Sequence, residues 1–175
     1  SSSYEGFVNC AQSFLNTEGI LNVYPEINSV ALAASKNSRT GANIRAVDND
    51  IFSKNKSFSS LFEVIESTEN LTSAKEIVLH EGKNAVIGKK LSEILNIHAG
   101  DEIRLITARK SLKNKLIPKV TSFKVSAVVS SGYQELDALW VFIPLKTGYS
   151  ILPLATSQLI VGMDVEDPFS YQIGR

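Results

Sequence analysis

Cysteine is almost missing from this chain of 175 residues: Cys10 stands alone, so no internal disulfide can form and a disulfide-stapled small fold is excluded. Histidine is nearly as scarce, with His80 and His98 only. No stretch reaches the roughly 18 to 20 consecutive apolar residues that span a bilayer as a helix. Net charge is absent too, since 18 basic residues balance 18 acidic ones. That balance argues against a global attraction to nucleic acid or to anionic lipid, and no nucleic-acid partner is expected. No signal peptide opens the chain. It starts at Ser1-Ser2-Ser3 and stops at Gly174-Arg175 as a segment cut from a longer protein would, so the missing leader is expected to carry no information.

The apolar fraction, 43%, is that of a globular protein with a real core. Phe7, Cys10/Ala11, Phe14 and Leu15 follow helical spacing and predict an amphipathic helix over 4–16, ended near Gly19. Cys10 is expected on its apolar face as a small buried hydrophobe. Strands are expected at Ile27–Ala34 and Ala42–Val47, joined by a polar loop Ser35–Gly41. Phe58, Leu61, Phe62 and Ile65 suggest a short helix, and Glu76–Leu79 reads as β-like. Leu91, Ile94 and Leu95 stripe a helix that begins near Gly88 and ends in a left-handed Asn96. After the turn Ala99-Gly100-Asp101 come strands Glu102–Thr107 and Ser122–Val129. Alternation puts Ile103 and Leu105 on one face and Arg104 on the other, with Leu91, Ile94 and Leu95 expected to pack on the face carrying Ile103, Leu105, Phe123 and Val125. Leu139–Ile143 is a further strand, with a helical turn after Pro144 to about Leu152, and Gln158–Val165 is the last, stopped at Asp167-Pro168. The order of elements is α+β.

Chemistry is hard to find. His80-Glu81 has no further ligand at a helical or hairpin spacing, and Asp48-Asn49-Asp50 lacks the glycine and glutamate of a calcium loop. Gly82 and Gly88 flank a strand-like run but form no phosphate loop, so no ATP site is expected in this chain. No nucleophile elbow or Ser/His/Asp order occurs. The chain is therefore expected to be no enzyme and to need no cofactor and no metal. One segment stands out. Ala108–Lys119, ARKSLKNKLIPK, carries Arg109, Lys110, Lys113, Lys115 and Lys119 with no acid, and interleaves Leu112, Leu116, Ile117 and Pro118. It is either a solvated hairpin tip whose lysines keep a sheet edge from aggregating, or an arm that docks a partner.

The run NAVIGKKLSEILNIHAGDEIRLIT (84–107) resembles the "IG..LA..L.V..GD.I.L" motif of the extracytoplasmic core domain of MacB-like and FtsX-like permeases. FKVSAVVSSGYQELDALWVFIPL (123–145) resembles their "F.V.G.F.SG.YE.D...VF.PL", and Gly-Tyr-x-Glu-x-Asp is the form typical of LolC/LolE lipoprotein-release permeases. SVALAASKNSRTGANIRAVD (29–48) and LIVGMDVEDPF (159–169) resemble two further strand motifs, so the likeness spans roughly 20–170. It implies a domain between the first and second of four transmembrane helices, in the cytoplasmic membrane of a bacterium and on its outer side. It implies an α+β fold of two lobes: a membrane-proximal αβ lobe from 4–34 and 158–175, the latter truncated, and a β-rich lobe inserted at 35–157. It also implies partners: a cytoplasmic ABC ATPase on a separate chain, a second permease copy or paralogue, a lipoprotein substrate and a periplasmic lipoprotein carrier. In the family's carrier-binding members the hairpin after "GD.I.L" hooks the carrier. Ile117-Pro118 stand at the hook's "IP", and Arg104 matches an arginine of the adjoining pad. Arg109, Leu112, Leu116 and Lys119 complete the expected surface. The pad's Gln-Arg pair is replaced by Val120 and Thr121. A related permease for drug or peptide efflux, or for activating a cell-wall hydrolase, is the alternative, and an unrelated envelope enzyme the third reading.

Overall fold

The computed structural model describes residues 2–167. The helix α1 (Ser2–Ser13) leads through a short 3-10 turn into β1 (Ile20–Ala34), then β2 (Arg39–Val47), α2 (Ile51–Lys54) and α3 (Lys56–Ser59). There follow β3 (Glu63–Ser67), β4 (Asn84–Gly88), α4 (Lys89–Leu95), β5 (Glu102–Lys110), β6 (Leu116–Ser130), α5 (Gln134–Asp137), β7 (Trp140–Pro144), α6 (Leu145–Ile151) and β8 (Gln158–Val165). The fold is α+β, built on one mixed sheet. The expected stop at Pro168 and the end of the 159–169 motif lie outside the described residues.

The sheet closes on itself. Pairings run β2-β7-β4-β6-β5-β1, and β1 pairs back onto β2, so these six strands form a ring; β3 hangs on β6 and β8 on β1. Alternation then divides each strand's residues between inside and outside. Ile27, Ala33, Ile44, Ala85, Ile87, Ile103, Leu105, Phe123, Val125, Val141 and Ile143 join one buried cluster, with Leu91 and Leu95 of α4 packed into it. Truncating one of these large aliphatics would cost about 2–5 kcal/mol. On one side the outward residues Val86, Ala127, Val129 and Phe142 form a second cluster with Phe52 of α2 and Phe62 after α3, closed by the 3-10 turn Ala74–Glu76. Pro25 fits inside β1 because its missing N–H falls on the edge where β2 pairing has not yet begun.

Several expectations need correction. Cys10 is exposed; the helix presents Tyr4, Phe7, Val8 and Ala11 to the body, and Phe7 stacks on Tyr149 of α6, which sets the phase one residue away from Cys10. β1 starts at Ile20, because its first half finds β8 as a partner. The expected loop 35–41 shrinks to a turn in which Ser35 N–H donates to Ser38 O, and Arg39, Thr40 and Gly41 join the ladder. Phe58 and Phe62 belong to the aromatic cluster, but the helix ends at Ser59 and Ile65 lies on β3, paired to β6. The strand-like stretch 76–79 buries Ile77 and Leu79, yet joins no ladder; its Leu79 N–H donates to Asn49 O. Leu91 and Leu95 pack as expected, whereas Ile94 is exposed. Arg104 lies opposite Ile103 and Leu105 and away from Leu95, as alternation requires.

Candidate docking arm

β5 and β6 pair over nine register positions, from Glu102↔Lys124 to Lys110↔Leu116. Only the root of this hairpin belongs to the ring. β5 pairs with β1 at Ala34↔Arg104, Ala33↔Leu105 and Leu32↔Ile106 and no further, and β6 meets β4 from Lys124 onward. Residues 107–120 therefore leave the body as a two-stranded arm. Its turn is Ser111–Lys115: Ser111 N–H donates to Lys115 O at 2.8 Å, Asn114 N–H to Ser111 O at 2.9 Å, and Lys115 N–H to Ser111 Oγ at 3.2 Å. Asn114 takes a left-handed conformation, φ 62°, which asparagine tolerates better than most residues.

At this turn Leu112 is fully exposed between Lys110, Lys113 and Lys115. Leu116, Ile117 and Pro118 are not at the tip. They lie on the first turns of β6, facing Lys110, Arg109 and Ala108 respectively. Opposed residues share a face. Leu116, Pro118 and Val120 thus form an apolar strip on one face, with Ala108 among them. Ile117 sits with Arg109 and Lys119 on the other, above Thr107, which is buried at the root. Arg104 is half-buried at the base, where its Nη2 donates to Ser35 O at 2.7 Å. Of the two positions that replace the family's Gln-Arg pair, Val120 is exposed and Thr121 is buried. The arm thus combines apolar contacts with five cations and no carboxylate from Thr107 to Val120.

Among the described residues no catalytic grouping emerges beside it. His80 Nε2 lies 3.1 Å from Glu69 and His98 Nδ1 3.1 Å from Glu66, both on the open surface. The bond to the Glu66 carboxylate raises the His98 pKa. Asp48 and Asp50 pair with Lys54 as a loop-to-helix corner, and burial raises the Asp48 pKa. Among the described residues no three histidine, cysteine or carboxylate side chains converge to hold a metal. The Gly-Tyr-x-Glu-x-Asp motif does structural work. Gly132 turns at φ 84°, and buried Asp137 accepts from Ser131 N–H at 2.9 Å, Ser131 Oγ at 2.7 Å and Ser130 Oγ at 3.1 Å.

One cluster escaped the sequence reading. The Arg45 guanidinium is held in a fork by Glu26, at 2.8 and 3.0 Å, and lies 4.9–5.5 Å from the ring centres of Trp140, Phe142 and Phe58. Alternation in β2 puts Arg45 opposite the inward Ile44 and Ala46, which was a usable signal. Tyr24 donates its hydroxyl to Asp164 Oδ2 at 2.5 Å; burial first, and this bond second, push its pKa up to about 12. These contacts tie β8 and the α2–α3 layer to the ring.

No family model and no curated protein matches the chain. Solved structures do. The periplasmic region of MacB from Actinobacillus actinomycetemcomitans superposes with a TM-score of 0.58 at 14% identity, over 95% of this chain and 68% of that one. The extracellular domain of the noncanonic ABC-type transporter YknZ from Gram-positive bacteria gives 0.58 at 12% identity, over 94% and 75%. The chain therefore has the fold of MacB-like extracytoplasmic domains.

Proposed function

We propose that this chain is the extracytoplasmic domain of a bacterial ABC-transporter permease of the lipoprotein-release type, acting as a binding and force-transmitting module with no active site of its own. In this reading residues 4–34 and 158–175 form the lobe nearest the membrane and 35–157 the inserted lobe. A cytoplasmic ATPase on a separate chain supplies the energy, and a second permease copy or paralogue completes the transporter. The domain hands an acylated protein to its periplasmic carrier through the arm.

The observation that carries this reading is the arm itself: an acid-free, basic hairpin that leaves the ring after Ile106 and ends in an exposed Leu112. A carrier that accepts acyl chains must offer an apolar cavity, and an apolar plug on a stiff hairpin is what such a cavity accepts. Buried apolar anchors dominate interfaces of this kind, while surrounding charges set on-rate and salt dependence. Pro118 limits the freedom that β6 would lose on binding. Arg104 can answer a carboxylate at the cavity rim only by giving up, or sharing, its bond to Ser35 O. A second reading rests on the fold: likeness to MacB favours equally a permease domain for efflux of drugs or peptides.

Titration of the domain with the lipoprotein carrier from the same genome separates them. Leu112→Asp and Ile117→Asp are expected to weaken binding about a hundredfold, and Arg104→Ala about tenfold at low salt. Absence of any binding by the unaltered domain rejects lipoprotein release and leaves the efflux reading.

A further inference from the structure

The root of the arm holds a wedge of unused backbone. On one edge β1 pairs with β8 up to Asn28↔Gln158 and with β5 from Leu32↔Ile106, so among the described residues no strand pairs with it between. Asn43 faces Val30 across the β1–β2 ladder, yet its N–H donates to Leu139 O on the other side, at 2.7 Å. In an antiparallel ladder, N–H and C=O of one residue point the same way and opposed residues point together or apart. The N–H and C=O of Val30 therefore point into the gap between β8 and β5. On the facing wall, the same rule applies to β5. Ser111 N–H turns to β6, so Lys110 and Ala108 turn away from it; Ala108 also faces Pro118, which has no N–H to give. Ala108 and Lys110 thus present two donors and two acceptors on the edge that β1 has left.

The arm's two edges are treated differently. The outward edge of β6 carries Pro118, whose missing N–H blunts it against an added strand. The edge of β5 has no proline and keeps its donors. At the mouth of the wedge Asn28 and Val30 also line an open cleft of about 480 Å³ with Asn43, Leu139, Thr156 and Gln158, and Asn28 Oδ1 is buried there without a donor among the described residues. The cleft holds no charged side chain, whereas the arm beside it supplies Arg109 and Lys110.

From this we infer a binding site that goes beyond the arm's apolar tip: the wedge between β1 and β5 takes an extended, carboxylate-bearing polypeptide segment as an added strand. Its backbone pairs with Ala108 and Lys110, a free amide of the segment reaches Val30 O, and its acidic side chains meet the cations of the arm. Main-chain bonds supply the grip and the basic arm selects the charge.

The test uses the whole domain and three synthetic octapeptides of alternating valine and glutamate, of alternating valine and lysine, and of the glutamate sequence with alternate backbone nitrogens methylated. Binding is read by titration calorimetry, and amide protection by hydrogen exchange. The glutamate peptide is expected to bind and to protect the Ala108 and Lys110 amides, with the lysine and methylated peptides at least about tenfold weaker. Ala108→Pro removes only an N–H that the ladder does not use, so the variant should keep its melting temperature and lose the peptide. Leu112→Ser, which removes the apolar tip without changing the arm's charge, should leave peptide binding unchanged; that result holds whether or not a carrier binds the tip. Equal binding of the methylated peptide, or unchanged binding by a folded Ala108→Pro variant, overturns the inference. So does protection of the Ala108 and Lys110 amides by self-association of the domain without peptide.

Discussion

The ring and the arm are made from the same two strands, and they obey opposite rules. From Ile103 to Leu105 on β5, and from Phe123 to Val128 on β6, inward side chains are fully buried, and of the outward ones Ala127 and Val129 are buried in the second cluster. A few residues further out, Leu112, Leu116 and Val120 are apolar and exposed, and the charges are of one sign. Single exposed apolar residues are common and occur on the body too, as at Val30 and Leu61; the strip of them on the arm is the feature that the proposed docking role uses. Under the docking role proposed above, the contrast teaches that stability and recognition are kept in separate parts of one hairpin, so each can be altered without the other.

The sharpest break of that division lies in the ring's outer layer. Phe142 packs edge-on against Phe52, Phe58 and Phe62 and lies under Arg45, so Phe142→Ala should cost about 3–5 kcal/mol in denaturant unfolding. Gly88 comes next. A Cβ there would run into the backbone of Asp137, which α5 cannot move without losing its bonds to Ser130 and Ser131. Gly88→Ala should therefore cost about 1–3 kcal/mol, although its backbone is ordinary extended chain. The smallest effect belongs to His98. Its pKa is raised by Glu66, so the pair's contribution is present below about pH 6.5 and is lost as pH rises through the higher folded value. His98→Gln should flatten that slope of melting temperature against pH and leave the acid end lower.

Much of the ring was legible because alternation is strict there: Ile103 and Leu105 against Arg104, and Phe123 against Lys124, point to one face without ambiguity. The helix stop at Asn96 was legible for a local reason, its left-handed φ of 51°. Closure of the sheet was not, because it depends on distant partners: β2 pairs with β7 at Asn43↔Trp140, 97 residues apart, and β1 with β5 at Ala34↔Arg104. Phe58, Leu61, Phe62 and Ile65 misled because only Phe58 and Phe62 join the aromatic cluster, while Leu61 and Ile65 are exposed and the helical spacing runs on by coincidence from α3 into β3. At the arm, the basic and apolar composition was plain, but the position of the turn was not. Lys110↔Leu116 pairing moves the tip to Leu112 and places Ile117-Pro118 on the flank.

The division of labour is tested most directly by removing the arm at a point the ladder allows. Thr107 and Lys119 face each other, so an Asn-Gly pair joining them would close a two-residue hairpin and delete residues 108–118. The measurement is thermal unfolding of this shortened domain together with its titration against the lipoprotein carrier. The account predicts an unfolding midpoint within a few degrees of the full domain, and no detectable binding. An unfolded shortened domain, or one that binds the carrier as the full domain does, would contradict it.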